Sequence, residues 1–422
     1  MLDLRIKKPK LYLPSIKLFN FYLYTVVFFI IFSSGAILDQ KYFNFSQILL
    51  IFLCSVFLLR VINKKYIALA GIIFPVYILV NYVNYSPTIV NYLLFLIKLS
   101  LIFIFVRYCI LKQIDILKML NNVVVGICIY SLFTYVFLDV MHVISPSHVE
   151  VINNKPYKIY FGLHYHWQDL NWFSWRVSRN NSIFWEPGVF QIYISYAIFY
   201  QLFLAKKANK KVMALLIFSI FTTFSTTGTM LTLVILVIKF VSLKSKKLLS
   251  MLMKVYLFPV LLIGGIYVGT SVFNQKANNG SASYDLRADD LGVGLHLFYK
   301  KPFFGWGFLN NSGFEAITGF STNSNGFVSL LFQQGVFGFI ILCIPILIIS
   351  IRLIKIKDFF TALAFTLFYF VSAATEPLMY ANFFNIFVSM GILLFIENKF
   401  PILHSKNKVS KPNNIKFRNK VA

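Results

Sequence analysis

Long apolar runs separated by short basic connectors make up most of the chain, with two long polar interruptions. The runs fall at about 18–38, 45–62, 66–84, 88–110, 119–141, 185–205, 212–225, 228–243, 252–271, 325–350, 359–375 and 380–396. Most have the roughly 18–25 residues needed to cross a hydrocarbon core about 30 Å thick at 1.5 Å per residue. The pattern predicts an all-α fold, a polytopic membrane bundle of about 12 transmembrane helices. Five spans occupy residues 1–141, four occupy 185–271 and three occupy 325–396. Between them lie two large loops, 142–184 and 272–324, and a basic tail follows at 397–422. The first apolar run exceeds the 7–15 residues of a cleaved signal core, so it is expected to stay as a span. The halves show no internal repeat, which counts against a transporter built from two repeats.

Composition sharpens this picture. Hydrophobic residues make up 58% of the chain and charged residues 13%, against about 45–50% and about 25% in soluble domains. A water-soluble enzyme and a disordered regulator are therefore excluded. The net charge of +26 would suggest nucleic acid in a soluble protein. Here the charges sort by side instead. With the N-terminus in the cytoplasm, one side collects 30 of the 40 Lys and Arg residues, the other holds 9, and Lys98 lies within a span. That asymmetry is the positive-inside signal. It predicts both termini in the cytoplasm, both large loops outside, and no nucleic-acid partner. The tail is expected to lie on the anionic inner leaflet. The four cysteines, Cys54, Cys109, Cys128 and Cys343, lie in or beside spans and predict neither disulfides nor a metal site.

Three segments carry candidate chemistry. The first runs from Trp175 through Arg176, Arg179 and Trp185 to Glu186-Pro187-Gly188. Pro187 and Gly188 mark a helix start, and Glu186 is either a capping acid or a functional carboxylate at membrane depth. The second runs from Tyr284 to Gly307, with Arg287, Asp290 and Gly294 at i, i+3 and i+7 on one helix face. It also contains His296 and Lys300, and it could equally be a self-paired interfacial helix. The third is Asn323-Ser324-Asn325-Gly326, leading into a span that contains Gln333 and Gln334. Amides inside an apolar run must face the bundle interior. Glu376-Pro377 opens the last span in the manner of Glu186-Pro187 and is a minor candidate.

In this order the parts resemble the O-antigen polymerases (Wzy) and O-antigen ligases. The resemblance rests on Arg179 leading to Phe184-x-Glu186-Pro187-Gly188, on Arg287 followed by Pro302-x-x-Gly305-x-Gly307-Phe308, and on Asn325 followed by Gln334-Gly335-x-x-Gly338. It covers roughly residues 170–345. Ser324-Asn325 stands where the ligase branch would show His-Asn, and Glu-Pro-Gly looks more like a polymerase, so the polymerase branch is favoured.

The resemblance implies a bacterial cytoplasmic-membrane glycosyltransferase. It would join oligosaccharide units carried on undecaprenyl pyrophosphate into an O-antigen or capsular polysaccharide at the outer face. It implies no metal and no cofactor, with membrane lipid, a chain-length regulator and a flippase as partners. Arg179 and Arg287 would hold the pyrophosphate, because arginine stays ionised and grips phosphate oxygens with two prongs. Arg176 and Lys300 would assist. Glu186 would take the proton of the attacking hydroxyl, with His296 second in line. Asn323, Asn325 and Gln334 would contact substrate. A ligase, transferring the glycan to another acceptor, is the near alternative. A flippase is the alternative of another class, but such a carrier needs charges lining its spans, and here Lys98 is the clearest.

Overall fold

Apolar runs become helices wherever the structure describes them. The computed structural model describes residues 16–41, 45–61, 75, 79, 89–152, 155–162, 164–172, 175–243 and 282–397. The helices before the first loop are α1 (Ile16–Phe32), α2 (Ile37–Lys41), α3 (Phe45–Ser55), α4 (Leu58–Val61), α5 (Ile89–Leu111) and α6 (Ile116–Thr134), the last continued by a π turn, Tyr135–Val140. After it come α7 (Pro187–Phe199, continued by a π turn), α8 (Lys210–Thr222) and α9 (Thr226–Ser242). Next are α10 (Ala282–Lys300), α11 (Ser312–Thr318), α12 (Gly326–Ile356), α13 (Phe359–Thr375) and α14 (Asn382–Glu397).

Four stretches are long and apolar enough to cross a membrane, Val90–Leu111, Ile116–Val140, Pro187–Leu204 and Gly326–Ile356, and several shorter apolar helices accompany them. The run expected at about 252–271 lies outside the described residues, as do that at 66–84 apart from residues 75 and 79, residues 272–281 and the tail from 398.

Burial separates helices inside the bundle from those at its rim. Every residue of α7 except Gly188 is buried, and α7 packs on α6, α8, α9 and α13. A helix that is apolar all round belongs in an interior. By contrast, α12 exposes Val336, Ile340, Ile344, Leu347 and Ile351. Their spacing of three and four makes one apolar stripe, suited to acyl chains and costly in water.

Several charged and amide groups inside the bundle pair with one another. Lys98 Nζ donates to Gln47 Oε1 (2.9 Å), Gln47 Nε2 donates to Asp39 Oδ2 (2.9 Å), and Asn382 Nδ2 donates to Ser33 Oγ (2.8 Å). This network ties α5, α3 and α2 to α14. At the opposite end of α5, Arg107 Nε meets Glu397 Oε1 at 2.7 Å.

The first loop adds what an all-α reading omits. It folds into an antiparallel sheet, β1 (His148–Ile152), β2 (Lys155–Tyr160) and β3 (His164–His166), and a hairpin, β4 (Asp169–Trp172) with β5 (Trp175–Ser178). Alternation on β2 buries Tyr157 and Ile159, which pack with Tyr165 and Ile37. The sheet thus sits on α2, and Lys41 Nζ pairs with Glu150 Oε2 at 2.6 Å.

Candidate functional site

The two loops meet at one end of the bundle and enclose a cavity of about 720 Å³. Lys155 and Tyr157 of the sheet line one side, Trp185 the floor beside α7, and Asn311, Asn323 and Gln333 the other side. Tyr380, between α13 and α14, also borders it. Aromatic faces alternating with amides and one ammonium suit a sugar, which offers apolar ring faces and a rim of hydroxyls.

Two carboxylates flank Gly188 behind this wall, each next in sequence to a lining residue, Trp185 or Pro377. A Cβ built on Gly188 would overlap Glu376 Oε1 and lie 3.6 Å from Glu186 Oε1. Glu186 occupies the N-cap of α7, yet its side chain makes no capping hydrogen bond. Instead it lies 3.6 Å from Lys155 Nζ, whose ammonium stands 4.6 Å over the Trp167 ring. The backbone around Glu186 is fixed from the sheet. The Trp185 carbonyl accepts from Tyr157 Oη (2.8 Å) and from Trp167 Nε1 (2.9 Å). Burial, and then the Glu186 charge, push the Tyr157 hydroxyl up, so it remains a donor. Glu376 is only 4% exposed and follows α13 in an extended conformation.

The second loop reaches the cavity by clasping α12 where that helix breaks. Gly335 has φ 62° and ψ −161°, inside an otherwise helical run. The opened backbone is filled by the loop: Val336 N donates to Pro302 O (2.8 Å), Phe337 N to Phe303 O (3.1 Å), Trp306 N to Phe332 O (2.8 Å) and Gly307 N to Gln333 O (2.8 Å). Pro302-x-x-Gly305-x-Gly307 and Gln334-Gly335 are therefore the two halves of one joint.

The residues singled out from sequence take different places. Arg179 is a strut between the hairpin and the α8–α9 turn. Its Nη1 donates to Gln168 Oε1 (2.7 Å), its Nε to Thr223 O (3.1 Å) and its Nη2 to Phe224 O (3.4 Å). Arg176 stands in β5 and Arg287 in α10, and for both only the backbone is described. One turn beyond Arg287, buried Asp290 accepts from Ser324 N (2.8 Å), and Asn323 Nδ2 donates to the Asp290 carbonyl (2.7 Å). A Cβ on Gly294 would overlap Val328, so α10 packs closely on the start of α12 rather than lying alone on a membrane surface. His296 and Lys300 are on its exposed side.

Asn323 lines the cavity, whereas Asn325 caps α12 by accepting from Phe327 N and Val328 N (both 3.1 Å). Gln334 packs inward against Gly338. Its neighbour Gln333 faces the cavity, donating to Asn311 Oδ1 (2.7 Å) and accepting from Tyr380 Oη (3.1 Å). Lys155, Asn311 and Tyr380 are cavity residues that carried no sequence signal, whereas Gln333 carried one as half of the amide pair. Glu376, next to the lining residue Pro377, was marked by that proline.

A second charged cluster lies at the foot of the sheet. His164 Nε2 donates to Asp139 Oδ2 (3.1 Å), and His166 Nε2 to Asp169 Oδ1 (3.0 Å). Both histidines are essentially fully buried. The hydrogen bond from His166, with help from Ser178 and Lys158, holds the Asp169 carboxyl well below the usual carboxylate range against the opposing effect of burial. Among the described residues, no group of three or more His, Cys, Asp or Glu side chains is arranged to hold a metal ion.

Residues 212–343 match the family model described as O-antigen ligase. That match supports the O-antigen polymerase and ligase superfamily. No curated protein matches the chain. The matched region contains most of α8, all of α9, the clasp and the Asn323–Gln333 side of the cavity. Together, the match and the long apolar helices support a membrane protein of polysaccharide biosynthesis.

Proposed function

We propose that the protein is a polymerase that joins oligosaccharide units carried on undecaprenyl pyrophosphate, with the sheet-bearing end of the bundle on the outer face of the bacterial cytoplasmic membrane. The observation that carries this reading is the pair of carboxylates beside a loop-enclosed cavity whose walls suit a sugar. A hydroxyl of the incoming unit attacks the anomeric carbon of the growing chain. The bond from that carbon to the pyrophosphate breaks, undecaprenyl pyrophosphate leaves with the electron pair, and Glu186 takes the hydroxyl proton. Charge grows on the leaving pyrophosphate, where fixed cations act best in a site short of water. Arg287 is the cation chosen for this role, and its support is its position on α10 one turn before Asp290, which accepts from Ser324 N beside the lining residue Asn323. Lys155 adds positive charge on the cavity's opposite side.

The polymerase is preferred to the ligase because Ser324 and Asn325 stand at the start of α12, where the ligase branch would show a histidine. The reading is tested by the lengths of surface and lipid-linked glycan in a deletion strain complemented with the wild type, Glu186→Gln or Arg287→Ala. Carriers bearing single units and no long chains would support it. Full-length chains stranded on the carrier would replace it with a ligase, and unextended units held on the inner leaflet with a flippase.

A further inference from the structure

Glu376 sits where stability alone gives no reason for an acid. It follows the last turn of α13, the negative end of that helix's dipole, where a carboxylate is disfavoured. It is nearly fully buried, which adds a desolvation cost. Yet two other helices leave room for it. Gly188, in the first turn of α7, has no side chain where the Glu376 carboxylate lies. Gly326, the first residue of α12, has none where the Glu376 backbone carbonyl lies. A Cβ at either glycine would overlap Glu376. Three helix ends thus converge on this one acid, and the feature they share with the cavity is its wall, since Trp185, Gly326 and Pro377 all line it.

We infer that Glu376 is the second member of the catalytic base, and that Glu186 and Glu376 accept the attacking hydroxyl's proton as one unit. The inference deepens the polymerase reading and rests on it. Two carboxyl groups that border the same point titrate as a pair, so the charge on one sets the proton affinity of the other. From the sheet, Lys155, 3.6 Å from Glu186, and Tyr157 face the Glu186 member of the pair. The proton leaves the hydroxyl as its oxygen bonds to the anomeric carbon. It is held by the carboxyl pair and returned to solvent through the cavity.

The test is complementation of the deletion strain with Glu186→Gln, Glu376→Gln, the double variant and Gly188→Ala, reading polymer length and rate of lipid-linked chain growth at matched membrane levels. Loss of a general base costs about 10²- to 10⁴-fold. Each single glutamine variant is expected to lose at least about 100-fold in rate, with the double no slower than the worse single, because the two act together. Gly188→Ala is expected to match them by wedging the carboxyls apart. A Glu376→Gln variant that polymerises like the wild type while Glu186→Gln does not would overturn the pair and leave Glu186 as a lone base. Losses that multiply in the double variant would also overturn it. Full polymer from both single variants would sink the pair and the base assignment together. Should Glu376→Gln fail to accumulate, the pH profile of Glu376→Asp decides. An acid limb moved from that of the wild type supports the pair, and an unmoved limb refutes it.

Discussion

Gly305 and Gly335 interlock. A Cβ on Gly305 would overlap the backbone joining Gln333 to Gln334, and a Cβ on Gly335 would overlap the backbone of Pro302 and Phe303. Each glycine is required by the other segment's main chain. The second loop is therefore held to α12 through backbone, and the Gln333 side chain faces the cavity just before the break at Gly335.

Substituting either glycine should loosen this joint. Gly335→Ala combines a positive φ with overlap and is expected to cost about 2–3 kcal/mol. Gly305→Ala should cost a similar amount, and the double variant less than the sum, since one joint is broken once. Thermal unfolding of the detergent-solubilised protein measures all three. Additive losses would mean that the two positions act separately.

Arg179 and Arg287 should fail differently. Arg179 holds three acceptors across two loops, and a charged hydrogen bond contributes about 1.5–3 kcal/mol. Arg179→Ala is expected to lower thermal stability and membrane level, and Arg179→Lys to restore little because it lacks the planar fork. Arg287→Ala should keep its level and lose about 10²- to 10³-fold in rate. Normal stability of Arg179→Ala would refute the strut.

Gln333 offers a milder perturbation. Its amide links Asn311 to Tyr380 at the cavity wall, so Gln333→Ala should weaken substrate use by about tenfold, equivalent to about 1.4 kcal/mol. Chain-growth rate against carrier concentration reads this as a higher KM. An effect on maximal rate alone would contradict it.

Acid should loosen the sheet. Asp169 is held below its ordinary range in the folded loop, so its contribution is fully present above about pH 4 and is lost as pH falls below that. Protection of β3–β5 against hydrogen exchange, taken relative to the intrinsic rate at each pH, is expected to fall on acidification. Asp169→Asn should exchange faster at neutral pH and respond less to acid. Identical acid responses in the two proteins would exclude Asp169 as the cause.

Sequence pattern located the helices because a membrane demands long apolar runs, and it found the helix start at Glu186-Pro187-Gly188. It did not reveal the sheet. Lys155–Tyr160 and His164–His166 are short, and their aromatics read equally well as a membrane-interface belt. Gln333 and Gln334 drew attention together as amides inside an apolar run, and only the packing of α12 separates them, Gln333 toward the cavity and Gln334 against Gly338. Glu376 carried the same Glu-Pro signature as Glu186. Its importance emerges only where α7, α12 and α13 converge, nearly 200 residues along the chain from its partner.

The Trp185 carbonyl, gripped by Tyr157 and Trp167, makes the sheet and the first turn of α7 one mechanical piece. A binder that seizes only the outer edge of β1 thereby takes hold of Glu186 as well. An antibody fragment raised against that edge, too large to enter the cavity, should slow glycan assembly in isolated membranes.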